Sequence, residues 1–146
     1  MNTRTKVAFA LFGLAYLTAA VFGLMYATRG EFMPYHAEAI STKWSDLPAS
    51  YQVLFLALLK VAGGGMLAVA AAGAFLLIIP FRQQLEWSRW ALLAVIVITS
   101  AITLYATLTV DLQTPANPPT LAPILTIALG AVAAALTKFE EAGKAA

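Results

Sequence analysis

Residues 61–79 read VAGGGMLAVAAAGAFLLII, 19 apolar residues without a break from Val61 to Ile79. A helix rises about 1.5 Å per residue, so about 20 such residues match a hydrocarbon core roughly 30 Å thick. Working outward, the apolar character reaches back to Tyr51, and three further runs stand beside it: Val7–Ala27, Trp90–Val110 and Leu121–Thr137. Each is expected to cross a bilayer, and together they occupy most of the 146 residues. Lipid is then the solvent that constrains the fold.

Composition agrees with this reading. The chain is 61% hydrophobic and 11% charged, with a mean hydropathy of +0.81, far from a soluble domain. The net charge of +2 comes with nine Lys and Arg scattered over loops and termini. Such scatter signals membrane topology, not nucleic acid. The absence of cysteine excludes thiolate nucleophiles, disulfide exchange and cysteine-ligated metal in one step. Arg4 and Lys6 precede the first run as in a signal peptide, but 21 residues exceed the usual h-region, so an uncleaved first span is expected.

The runs are separated by clear breakers. Thr28-Arg29-Gly30 ends the first, Pro80-Phe81-Arg82 the second, and Asp111–Pro119, with Pro115, Pro118 and Pro119, divides the third from the fourth. The expected architecture is all-α: one transmembrane domain over residues 1–146, an up-down four-helix bundle with a long loop over 28–50. Arg4, Lys6, Arg82, Arg89, Lys138 and Lys144 fall on one side, against Arg29 and Lys43 on the other. This asymmetry places both termini in the cytoplasm and the 28–50 loop outside. Trp87 and Trp90 are expected at the inner interface, and Tyr26, Phe32, Tyr35, Trp44 and Tyr51 at the outer one. Pro34 can open a short interfacial helix through Ile40, and Ser45 or Asp46 can cap the second span.

Helices in lipid associate through small residues. Stripes at spacing four occur as Ala15, Ala19, Gly23 and Ala27; as Gly64, Ala68 and Ala72; and as Ala122, Thr126, Gly130 and Ala134. They serve packing within one chain or a homo-oligomer interface. Gly63-Gly64-Gly65 marks either a very close helix crossing or a bend beside a cavity.

Lys60 is the one formal charge inside an apolar run, and intramembrane charges are functional candidates by default. Two placements are open. Counted from Tyr51 it lies roughly 13 Å deep and needs a partner such as Asp111, Glu31, Glu38 or Asp46. Counted from Val61, where a full span already begins, it snorkels to the boundary. Thr99, Thr103, Thr107 and Asp111 recur every four residues on the third span, with Ser100 and Tyr105 nearby; they form either a polar stripe for a ligand or a packing stripe with self-satisfied hydroxyls. His36 is the sole histidine. With Glu31 and Glu38 it lacks the spacing of a metal site, and a solvated interfacial ring is the plainer reading.

Two stretches carry a family resemblance: Phe32-Met33-Pro34-Tyr35-His36 through Trp44, leading to Lys60 and Gly63-Gly64-Gly65, and Trp87-Ser88-Arg89-Trp90-Ala91 after a short basic turn. With the four-span length, they make the chain resemble small bacterial four-helix membrane proteins, the DoxX-like and related families. The resemblance implies a multi-pass protein of the bacterial cytoplasmic (inner) membrane, sometimes accessory to redox or quinone-linked systems. It supplies no catalytic residues and no cofactor.

The function expected is non-enzymatic: a polar pocket in the outer half that takes a lipid-like or small amphipathic ligand, a quinone among them, or an accessory role in a larger membrane complex. Lys60, Thr103, Tyr105, Thr107, Asp111, Gly64 and His36 are the candidate ligand-binding residues, with Lys60 facing an anionic headgroup. The alternatives are an oligomeric small-solute transporter or channel, and a membrane-embedded enzyme built on His36 and Lys60.

Overall fold

The computed structural model describes residues 1–139; Glu140, Glu141 and Lys144 of the charged tail lie outside them. Among the described residues the chain is all-helical: α1 (Thr3–Thr28), α2 (Pro34–Ile40), a one-turn 3₁₀ helix (Trp44–Asp46), α3 (Ala49–Leu76), α4 (Glu86–Gln113) and α5 (Leu121–Leu136). A π-helical turn, Leu77–Phe81, prolongs α3 around Pro80, which has no N–H for a regular α turn. Three helices are long and apolar enough to cross a membrane. The fourth run forms a helix shorter than these three. α5 has 16 residues, about 24 Å of helix; it starts at Leu121, where the apolar run starts, and stops one residue short of that run's end, with Thr137 as its extended C-cap.

Local chemistry moves the other boundaries too. α1 starts before Val7 because the Asn2 side chain accepts from the Thr5 N–H at 2.9 Å, which occupies an otherwise orphaned donor. Neither Ser45 nor Asp46 caps α3. Pro48 is its N-cap, and Ser45 donates instead to Asp46. Gln52 anchors this entry, donating to the carbonyls of Trp44 and Leu47 at 3.0 and 3.1 Å. The Phe32 ring is turned into the protein, 4% exposed, with the rings of His36, Trp44 and Phe55 around it edge-on.

α1 packs along α3, and both α1 and α4 pack on α5. Gly23 and Gly63 set the first crossing: a Cβ on Gly63 would stand 2.5 Å from the Ala27 nitrogen and 2.7 Å from the Gly23 carbonyl oxygen. Gly73 leaves room for the Tyr16 ring, whose hydroxyl donates to the Leu92 carbonyl at 2.8 Å. Gly130 lies against Ile96 and Leu93 where α5 meets α4. Of the glycine triplet, Gly63 thus makes a close crossing, inside an α3 that runs helical throughout. The seam on α3 runs through Leu59, Gly63 and Gly73, whereas Gly64, Ala68 and Ala72 are exposed.

One end of the helices is tied shut. Asn2 Nδ2 and Thr5 Oγ1 both donate to the Lys138 carbonyl, at 3.0 and 2.7 Å. Arg89 donates to the Thr137 carbonyl at 3.1 Å and pairs with Glu86. The fully buried Phe12, Phe81 and Leu92 belong to the core cluster packed near that end. There the π turn bridges α3 and α4; beyond it the two helices touch little. They diverge toward the end roofed by α2.

Candidate functional site: a lateral cleft beneath α2

The divergence leaves a cavity of about 620 Å³ between α3 and α4, in the size range of a small-molecule site. Its α3 wall is Phe55, Leu58, Leu59, Ala62, Gly65 and Met66, and its α4 wall runs from Ile98 to Val110. Tyr35, His36, Ala39 and Ile40 of α2 close the top, with Tyr26 from α1. A second chamber of about 80 Å³ branches off between α1, α4 and α5; Tyr26, Met66, Thr99, Thr103 and Thr107 line both. The walls are mostly apolar, and no lining residue other than His36 can carry a charge near neutral pH.

The polar groups sit at the roof and along α4. Tyr26 and Tyr35 share a hydroxyl–hydroxyl hydrogen bond at 2.7 Å. Burial, helped by that bond, raises the Tyr35 phenol above its ordinary pKa, so it stays protonated. The Tyr35 ring lies against His36, with centroids 4.2 Å apart. His36 Nδ1 accepts from the Met33 N–H at 3.3 Å, so the neutral ring carries its proton on Nε2. Burial lowers its pKa from 6.5, because desolvation penalises the imidazolium. Most threonines spend their proton on their own helix: Thr103 donates to Thr99 at 2.9 Å and Thr107 to Leu104 at 3.1 Å. Their lone pairs remain free to accept.

No protein-family model, curated protein or solved structure matches this chain. Of the residues singled out from sequence, Thr103, Thr107 and His36 meet in the cleft. Lys60, Gly64, Tyr105 and Asp111 lie outside its lining and are exposed. The reason is helical phase. At about 100° per residue, Lys60 and Gly64 point away from the face that carries Phe55, Leu59, Ala62 and Met66. Tyr105 is 74% exposed on α4. Among the described residues the ion pairs are Arg29–Glu31 and Arg89–Glu86, and neither includes Lys60. Among the described residues, no three His, Asp or Glu gather as metal ligands.

Sequence reasoning did not bring Tyr26, Phe55, Met66 or Thr126 to a site, whereas Ser100 stood beside the polar stripe it named. Phe55, Leu59, Ala62 and Met66 follow an i, i+4, i+7, i+11 pattern. That pattern is legible in the sequence, but so is every other stripe of an apolar helix.

Proposed function

We propose that this chain is an integral membrane protein of the bacterial inner membrane, a four-helix bundle with both termini cytoplasmic, related in kind to the DoxX-like families. It holds a lipid-like amphiphile in the cleft between α3 and α4. The observation that carries this is the cleft itself: large, apolar, flanked by membrane-length helices and capped by α2 with a tyrosine pair and an imidazole. An acyl or isoprenoid chain entering sideways from the bilayer meets walls as apolar as lipid, and its polar end meets hydroxyls. Lys60 lies off this surface, so an uncharged head suits the site better than the anionic one expected from sequence. The role is binding and presentation of the amphiphile; the cleft holds no nucleophile–base pair set up for chemistry.

Gly65 lines the cleft, and a Cβ there meets nothing within 4 Å. Gly65→Leu is therefore expected to fold normally while filling the site. Native mass spectrometry of the protein extracted in mild detergent should show a co-purifying lipid-like molecule. In Gly65→Leu its occupancy should fall about tenfold, the scale of a lost apolar contact surface. Equal occupancy in both proteins would remove the cleft as the binding site.

A further inference from the structure

The smaller chamber has a chemistry of its own. Ser100 lines it and is only 6% exposed, yet its hydroxyl makes no hydrogen bond to any described residue. The neighbouring Thr99 hydroxyl is likewise uncommitted, whereas those of Thr18, Thr103, Thr107 and Thr126 all donate to carbonyls of their own helices. The Ser100 hydroxyl opens to the chamber, and between lipid-facing helices a hydroxyl without a partner is costly unless something polar reaches it. Ser100 and Thr99 stand at the midpoint of α4, far from either helix end.

Resting on the cleft reading above, the geometry points to this chamber as the headgroup subsite, selecting an amphiphile whose head is small, uncharged and hydrogen-bonding: an alcohol or carbonyl. Ser100 and Thr99 supply donors, and the committed threonines supply acceptors, so a hydroxyl head can give and take a hydrogen bond. A carboxylate or phosphate would lose its hydration with no cation in the lining to replace it. The volume of about 80 Å³ also admits a small head and little more. The tail then runs outward through Met66 and Thr103 into the larger cleft.

The test uses the full chain in zwitterionic nanodiscs with two photoreactive probes of equal chain length: a long-chain primary alcohol, and the matching carboxylic acid at a pH where it is ionised. The alcohol is expected to bind about tenfold more tightly, the worth of one or two hydrogen bonds, and to label α4 near Ser100. In the double variant Thr99→Val/Ser100→Ala the affinity for the alcohol should fall by about the same factor, while tail labelling of the cleft persists. Thr109→Val, which removes a hydroxyl outside both linings, should leave that affinity intact. Equal binding of the two probes, or an alcohol affinity that the double variant leaves unchanged, overturns the headgroup assignment and leaves the cleft. Failure of both probes to label the cleft overturns the cleft reading together with the subsite.

Discussion

Gly63 and Gly64 are neighbours with opposite duties. A methyl group on Gly63 would collide with the backbone of α1 at Ala27 and Gly23, whereas one on Gly64 meets open space. Gly63→Ala should therefore force the helices apart and cost about 2 kcal/mol. Gly64→Ala should be stabilising by about 0.5–1 kcal/mol through helix propensity alone. Thermal unfolding in detergent separates the two, and equal shifts would show that the crossing is not where we place it. The importance of the triplet was legible in the sequence; which glycine makes the crossing depends on helical phase against α1. At His36 the depressed pKa has a definite sign. The unfolded chain takes up the proton near pH 6.5 and the folded chain only at lower pH. Stability is therefore level above about pH 7 and declines as the pH falls below about 6.5, until the folded ring itself protonates. In His36→Gln, whose side-chain oxygen can still accept from Met33, unfolding temperature should lose that acid-side decline.

At the scale of elements, α2 and the 3₁₀ turn that follows form a roof held by few contacts. Ser41 ends α2 in the left-handed region at φ 52°, and Gln52 holds the turn to α3 through two hydrogen bonds. Gln52→Ala should leave the Leu47 carbonyl without its donor, the Trp44 carbonyl keeping the Leu47 N–H, and cost about 1 kcal/mol. That loss should be local. Hydrogen exchange is expected to rise over 41–52 and to stay unchanged in the core around Phe12 and Leu92. Pro34, as the opening residue of a short helix, was readable from sequence because proline favours a helix's first turn. The Gln52 anchor was not, since a side-chain bond back to loop carbonyls leaves no periodic trace. The tie between Asn2, Thr5 and Lys138 is a further case: it joins residues at opposite ends of the sequence.

For the whole molecule, the lack of cysteine makes topology directly measurable. A single cysteine at Ser45 is expected to react with an impermeant maleimide on intact cells, and one at Gln83 only after permeabilisation. The reverse pattern would invert the proposed orientation. Length, composition and run spacing determined that this chain is helical and built from membrane-length apolar segments, because a hydrocarbon solvent leaves the backbone few other ways to satisfy its hydrogen bonds. The same sequence put Lys60 ahead of Thr103 and His36. Only the tertiary structure reversed that order, since in a uniformly apolar helix the face turned inward is set by where small residues let neighbours approach. Glycines bring α3 tightly against α1, while the π turn around Pro80 joins α3 to α4 at one end alone. The cleft is what remains between them.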